Sequence, residues 1–419
     1  GVEQLNVLAG ATGAEVVAIT TVDAGIAAKK TLTVDASALT SSTATMTFDA
    51  SAEIDGYVHV TGGAAIDTIT GGSLADTIIG GGGADILGGG GGDDSITGGA
   101  GADIITAGAG DDTITGGAGN DTITMAGNLT AADTIDGGEG SDTLNVTSVS
   151  ASTLTGVSNF ETLAVTGAST VSLTSNLAFT TIDLSNASAQ NLTFATGYTT
   201  ATTVKLGSGG GSDTIVNTAK IALTVDSTDA GNMTSGVTIT GSTATETLIV
   251  TADATDTIDF TNITKVDKLT IRDGSTSGDD VTVTLGAYAT ALTIDGSALN
   301  GTDEVLTVSG DTATKNLTIT AGNGADQITG GGGNDTITLG NGNDTYNEFD
   351  GNDSVTGGAG NDIFDVASGQ LTYLDTIDGG AGNDTIQLHT GAAVTDVAFQ
   401  NVSNVEFITM DSSTNSVTL

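Results

Sequence analysis

The sequence predicts an all-β protein: an elongated parallel β-solenoid with two glycine- and aspartate-rich blocks separated by an irregular Thr/Val-rich β-helix. Three observations lead there. A nine-residue unit repeats in strict phase through residues 62–146 and again through 321–388. A three-residue apolar–polar–apolar strand signature recurs through the region between them. The composition has 63 glycines, no proline, no cysteine, no tryptophan and 3% aromatics, which is too poor in large side chains for ordinary compact cores.

Residues 1–61 form the first region. Leu5-Asn6-Val7, Leu32-Thr33-Val34, Met46-Thr47-Phe48 and Val58-His59-Val60 read as short strands separated by Gly, Asp, Ser and Ala turns. AGIAAKK, around Gly25–Lys30, has a helical composition and leaves a helix open there.

Residues 62–146 carry the first block. Asp67, Asp76, Asp85, Asp94, Asp103, Asp112 and Asp121 are nine apart, each followed two places later by Ile69, Ile78, Leu87, Ile96, Ile105, Ile114 or Ile123. Three residues interrupt the count, which resumes at Asp133 and Asp142 with Ile135 and Leu144. Glycines in the first half of each unit allow tight turns and close backbone approach. The second half has strand character and one large apolar side chain to bury. Such a unit cannot fold alone, so units must stack into parallel ladders. Two units per coil give 18 residues per coil, so aspartates 18 apart share an edge. Rows of carboxylates then sit about 4.8 Å apart, and the block has no Lys or Arg to offset them. A cation must enter from solution. Oxygen-only ligands without His or Cys point to Ca²⁺; Mg²⁺ holds its waters and prefers fewer carboxylates. The strict phase of Asp and Ile argues against a flexible Gly-rich linker.

Residues 147–320 read as an irregular parallel solenoid. Strand cores recur at Leu144, Leu163, Ile182, Val204, Leu223, Leu248, Leu269, Leu292 and Leu317, in steps of 19, 19, 22, 19, 25, 21, 23 and 25. Second strands lie at Val237–Ile239, Val281–Val283 and Val305–Val308. Within this region, residues 208–216 hold one isolated unit, with Asp213 and Ile215, that is either a single cation site or a Gly-rich turn. Residues 321–388 repeat the opening theme with Asp326, Asp335, Asp344, Asp353 and Asp362, then four extra residues before Asp375 and Asp384. Tyr346 and Phe364 take the apolar slot there, which predicts a bulkier interior. Residues 389–419 form a C-terminal strand and cap region. The blocks end alike: LTAADTIDGGEGSDTLNV (129–146) aligns with LTYLDTIDGGAGNDTIQL (371–388), and GVSNFETLAV (156–165) with NVSNVEFITM (401–410). The chain is a duplication of a larger module closed by a Ser-Asn-x-Glu strand.

The nonapeptides resemble the RTX (repeats-in-toxin) calcium β-roll. That resemblance implies that the aspartate at position six is a side-chain ligand and that carbonyls of the preceding turn complete the shell. Each ion then bridges two successive turns on one side of the roll. It assigns multiple Ca²⁺ ions to Asp76, Asp85, Asp94, Asp103, Asp112, Asp121, Asp133, Asp142, Asp326, Asp335, Asp344, Asp353, Asp362, Asp375 and Asp384, and leaves Asp67 and Asp213 open. Ile66 and Leu74 occupy turn positions usually small or polar, and Ala64–Ala65 replaces a glycine-bearing pair. The first units are therefore expected to be poor calcium sites and better caps.

The net charge of −43, from 51 acidic and 8 basic residues, excludes nucleic acid as a partner. No run approaches the ~18 apolar residues of a membrane span. Only His59 and His389 are present, and neither a zinc site nor a His-based dyad is expected. The HExxH and GxSxG motifs are absent, and GxGxxG strings carry no weight in text this rich in glycine. Paired acids such as Asp93–Asp94 and Asp111–Asp112 fit the repeat register rather than a glycosidase dyad. Lys265, Lys268 and Arg272 read as a solvated face or subunit contact. No enzyme activity is expected.

Across the whole chain the likeness is to RTX-bearing surface-layer (S-layer) proteins of Gram-negative bacteria. It is specific in the repeat units, about a third of the chain, and compositional elsewhere. It implies an extracellular structural protein at the cell surface, secreted by the type I route, with calcium driving folding and self-assembly. Contacts between copies are expected to be calcium-assisted through exposed aspartate rows, with anchoring to outer-membrane polysaccharide through a part outside these residues. GVEQLNVLAG reads as a cut end or part of a longer protein, and FITMDSSTNSVTL as part of a C-terminal secretion signal. The alternative is an RTX adhesin or biofilm-matrix protein using the same solenoid as a spacer. An epimerase or lyase on a β-helix would need the aromatic–basic cleft this chain lacks.

Overall fold

The computed structural model describes the chain except residues 1–2, 9–15, 23–24, 151, 168–169, 175–176, 186–189, 208–212, 228–232, 234–236, 253–254, 275–277, 311, 348, 368, 390–392, 411–415 and 419. The chain forms two compact units, Gly1–Thr202 and Thr203–Leu419. Each is a parallel β-solenoid.

In the first unit, one face carries strands Thr31–Asp35, Tyr57–Thr61, Thr77–Gly82, Ser95–Ala100, Thr113–Ala118 and Thr134–Glu139, each paired in parallel with the next. The other face carries Val16–Thr20, Thr45–Asp49, Thr68–Thr70, Ile86–Gly91, Ile104–Ala109, Thr122–Ala126, Thr143–Val146, Thr162–Val165 and Thr181–Asp183. Successive nonapeptides alternate faces, as two units per coil require. Ile78, Ile96, Ile114 and Ile135 stack in register on one side, and Ile69, Leu87, Ile105, Ile123 and Leu144 on the other. These side chains are buried. Each contributes about 1.5–3 kcal/mol by leaving water, and one such residue per unit supplies the core of the roll.

The second unit repeats the plan. Leu223–Ser227, Glu246–Thr251, Lys268–Arg272, Leu292–Asp295, Leu317–Thr320, Thr336–Asn341, Ser354–Ala359 and Thr376–Ala381 form one ladder. Thr255–Asp259, Asp280–Thr284, Leu306–Ser309, Gln327–Thr329, Thr345–Asn347, Ile363–Val366 and Thr385–Leu388 form another. Val402–Ser403 and Phe407–Met410 extend the two ladders beyond the second block. The bulkier interior is present: Tyr346, Phe349 and Phe364 are fully buried, and Tyr346 meets Phe349 edge-on at 4.7 Å.

Two differences from the sequence reading have local causes. Gly25–Lys30 is a turn, not a helix, closed by the Lys30 N–H on the Ala27 carbonyl, with Lys29 in the left-handed region at φ 58°. The helical elements among the described residues are the 3-10 turns Phe260–Asn262 and Asp396–Phe399. Val16–Thr20, Thr170–Leu173, Asn191–Phe194 and Thr255–Asp259 are further strands; the last three alternate polar and apolar residues over a short span that only registers once neighbouring coils pair with them.

The coil spacing explains the glycines. Gly81 has φ +109°, and a Cβ there would lie 2.3 Å from the Gly63 carbonyl of the preceding coil. Its neighbour Gly82 has no contact closer than 3.6 Å at the same test. Gly81→Ala is therefore expected to destabilise the first unit by about 1–3 kcal/mol or more, while Gly82→Ala stays within about 0.5 kcal/mol of wild type. Denaturant unfolding of the two calcium-saturated variants checks this.

Candidate metal centre

Stacking in register places every position-six aspartate over the one in the preceding coil on its side. The backbone N–H of Asp85 donates to Asp103 Oδ1 at 2.8 Å, that of Asp103 to Asp121 Oδ1 at 2.8 Å and that of Asp121 to Asp142 Oδ1 at 2.8 Å. On the other side the chain runs from Asp76 to Asp94, Asp112 and Asp133. In the second unit it runs from Asp326 to Asp344, Asp362 and Asp384, and from Asp335 to Asp353 and Asp375. The insertions fall within one coil each, so the step of 18 lengthens there to 21 or 22 without breaking either ladder. One carboxylate oxygen of each aspartate thus serves as a structural acceptor.

The other oxygen divides the aspartates into two classes. In Asp85, Asp94, Asp103, Asp112, Asp121, Asp142, Asp335, Asp344, Asp362 and Asp384, Oδ2 is buried with no hydrogen-bond partner. In Asp67, Asp76 and Asp326, Oδ2 accepts the N–H of Gly63, Gly72 and Gly322. In Asp133 and Asp375 it accepts Thr130 and Thr372 N–H, and in Asp353 the Tyr346 hydroxyl. The division follows the second residue of each unit. Wherever that residue is a glycine in the left-handed region (Gly81, Gly90, Gly99, Gly108, Gly117, Gly138, Gly331, Gly340, Gly358, Gly380), the carboxylate oxygen is left free. Where it is not, a local donor takes the oxygen. Of the fifteen aspartates assigned to calcium from sequence, Asp76, Asp133, Asp326, Asp353 and Asp375 fall in this second class.

A buried unpaired carboxylate oxygen is costly, so the free oxygens ask for a cation. The surrounding donor set suits a hard one. A Cβ on Gly98 would lie 2.4 Å from Asp103 Oδ2 and 2.5 Å from the Gly116 carbonyl. The equivalent space over Gly80 is bounded by Asp85 Oδ2 and the Gly98 carbonyl, and that over Gly357 by Asp362 Oδ2 and the Gly379 carbonyl. Ala107 and Leu339 stand at the equivalent position of the Asp112 and Asp344 units, so the free oxygen does not depend on glycine there. No three acidic, His or Cys side chains converge among the described residues, so main-chain carbonyls must supply most of any shell, as Ca²⁺ accepts and Zn²⁺ does not. Ca²⁺ bound here would supply positive charge to the free oxygens.

Sequence reading missed the residues that close the rows. Glu161 Oε2 accepts the N–H of Asp142, and Glu406 Oε2 that of Asp384, both at 2.8 Å. Each glutamate stands where the next aspartate would be. Asn159 and Asn404, two places before them, sit at φ 55° and 51° and donate through Nδ2 to Asp136 and Asp378 at 2.7 Å. The Ser-Asn-x-Glu duplication was the legible signal, although it reads as strand text rather than as part of the site.

Burial raises the carboxyl pKa values first, and at Asp85, Asp94, Asp344, Asp353 and Asp362 neighbouring carboxylates in the same row add to it. Asp94 and Asp344 are pushed up to about 8 and Asp85 and Asp353 to about 7. Asp326, Asp335 and Asp362 rise to about 6. Backbone N–H donors oppose the shift without cancelling it.

The other candidates resolve simply. The position-six rows are buried, Asp67 included, so they are not exposed contact rows as expected from sequence. Asp93 and Asp111 face solvent while Asp94 and Asp112 face inward, so no dyad forms. His59 is an exposed strand residue, and His389 contacts Asp365. Lys268 pairs with Asp295 at 3.1 Å and Arg272 with Asp226 at 3.2 Å. Asp213 is half-buried, and residues 208–212 of its unit lie outside the described residues.

A family model for the RTX calcium-binding nonapeptide repeat (4 copies) matches residues 61–96, 88–123, 130–146, 318–346, 350–370 and 372–392. A search of curated proteins finds no match to the chain. The matched segments contain all ten aspartates with a free oxygen.

Two outcomes are expected. The raised carboxyls hold protons more tightly in the folded metal-free form than unfolded. Their stabilisation is fully present below about pH 4 and lost as pH rises through about 6–8. Metal-free protein should gain β-sheet circular dichroism as pH falls from about 8.5 to about 5, and Ca²⁺ added near pH 7 should release protons, read by an indicator dye. Separately, Glu161→Ala leaves the Asp142 N–H without its acceptor and should cost about 1–3 kcal/mol, while Glu161→Gln costs less; denaturant unfolding compares them.

Proposed function

The chain is a β-solenoid that bears RTX calcium-binding nonapeptide repeats, and from that premise we propose an extracellular structural protein whose solenoid is made rigid by calcium and serves as a building block of a bacterial surface layer. The observation that carries the reading is the set of buried, unpartnered carboxylate oxygens in blocks without one Lys or Arg. Without a cation the blocks concentrate negative charge around a core of one large aliphatic residue per unit, too little to hold them folded. With the charge neutralised, the strand ladders and the Ile stacks close together, so cation binding supplies folding free energy. Such sites fill where Ca²⁺ is millimolar and stay empty where it is submicromolar, which suits ordering after export.

The chain's own residues divide the work. Oδ1 of each aspartate ties one coil to the preceding one, the free Oδ2 and main-chain carbonyls would hold the ion, and the apolar slot fills the interior. The structural reading also rests on what the solenoid presents outside: threonine-rich strands and a net charge of −43. No helix among the described residues is long and apolar enough to cross a membrane. Contacts between copies fall to outward residues rather than to the buried rows. Ile86 and Ile104, adjacent in register and about half exposed, are the outward apolar pair of the first block.

Calcium titrated into chelated protein, followed by far-UV circular dichroism and light scattering, tests this. A cooperative gain of β signal with Ca²⁺ but not Mg²⁺ is expected, with scattering rising at the same point and an ordered sheet visible by electron microscopy. A β signal already complete in chelator at pH 8 would sink the coupling of metal to folding. Flat scattering would leave a calcium-rigidified spacer, as in an adhesin, in place of a lattice subunit.

A further inference from the structure

Between the two blocks, where the repeat is no longer matched, one side chain reproduces the surroundings of the free aspartates. Glu246 is 1% exposed, and its Oε2 has no hydrogen-bond partner. Its Oε1 accepts three donors: Ser242 N–H at 2.6 Å, Ser242 Oγ at 2.6 Å and Asn217 Nδ2 at 2.9 Å. Its own N–H donates to Asp267 Oδ2 at 2.9 Å, as the Asp142 N–H donates to Glu161. Lys265, two places before Asp267, sits in the left-handed region at φ 57°, as Asn159 does two places before Glu161. A Cβ on Gly241 would lie 2.4 Å from the Lys265 carbonyl and 3.1 Å from Glu246 Cδ, so the two groups border one space. The same arrangement over Gly137 joins the Asn159 carbonyl to Asp142 Oδ2.

With this geometry in view, residues 241–249, GSTATETLI, read as a degenerate nonapeptide. Gly241 stands at position one, Glu246 at position six and Leu248 in the apolar slot, buried at 0%. Glutamate in place of aspartate and the loss of the other glycines hide it from a motif search. We propose that Glu246 Oε2 and the Lys265 carbonyl form a further site for a hard divalent cation, Ca²⁺, outside both repeat blocks, with Asn217, Ser242 and Asp267 positioning the glutamate. This inference rests on the calcium reading of the blocks and extends it to the intervening solenoid. An ion at this place would stiffen a coil that lies outside both repeat blocks. The nearby cation Lys268 is engaged by Asp295.

The test counts Ca²⁺ bound per full-length chain, by equilibrium dialysis with metal analysis, in wild type, Glu246→Gln and Glu246→Asp. It also measures amide hydrogen exchange across the chain in saturating Ca²⁺. Gln keeps the oxygen that Ser242 and Asn217 need and turns an NH₂ towards the Lys265 carbonyl, so the fold should survive. Glu246→Gln should bind one ion fewer and lose protection at residues 241–247 and 263–267, with the blocks at 62–146 and 321–388 unchanged. Glu246→Asp should keep the wild-type count. A wild-type count in Glu246→Gln, with the blocks loaded, would overturn this site alone. No bound Ca²⁺ in wild type would overturn the reading of the blocks and this site with it.

Discussion

Parallel stacking in register sets everything else in this protein. A coil that repeats every 18 residues puts each side chain over its own counterpart in the next coil. For isoleucine that is favourable, since identical branched side chains pack into a continuous apolar column. For aspartate it is not, since like charges meet at about the strand spacing of 4.8 Å inside a desolvated space. The fold manages this by dividing the carboxylate: one oxygen joins the ladder as an acceptor, and the other is left for a cation or a proton.

A proton and a bound cation would compete for those oxygens. Burial favours the proton, and the rows reinforce it, so the metal-free roll at neutral pH is caught between neutral and charged states. A divalent ion at one free oxygen would relieve its nearest neighbours in the row, since each site borders the next through the Asp N–H to Oδ1 bonds. That shared bond is the physical route by which loading one coil could order its neighbour.

The ends of the rows are built differently from their middles. Three of the four aspartates that begin rows, Asp67, Asp76 and Asp326, have both oxygens taken by backbone donors, whereas Asp335, which begins the fourth, keeps Oδ2 free. Asp133 and Asp375, immediately after the insertions, are capped by threonine N–H groups in the same way. Glu161 and Glu406 end rows with a longer side chain that reaches the last aspartate from a strand lacking the glycine turn. The same closing device appears in each unit, with Asn in the left-handed region two residues earlier, which gives the sequence duplication a mechanical meaning.

Much was legible in the residues alone. The period of nine, the aliphatic slot and the absence of Lys and Arg determined the parallel roll, the two-unit coil and the need for a hard cation, because periodicity and charge are local properties of the text. The strand cores from Leu144 to Leu317 were legible for the same reason. The sorting of aspartates was not. Asp326 follows glycines at positions two and four, as Asp94 does, yet Gly322 keeps an ordinary φ and caps it, because the coil before it is irregular. Asp353 is taken by the Tyr346 hydroxyl, a partner seven residues away that only the stacked interior brings near. Burial of the rows was equally beyond the sequence, since a carboxylate on a glycine-rich turn reads as exposed until the next coil closes over it. Which oxygens remain free depends on backbone angles and on neighbouring coils, and only the tertiary structure decides those.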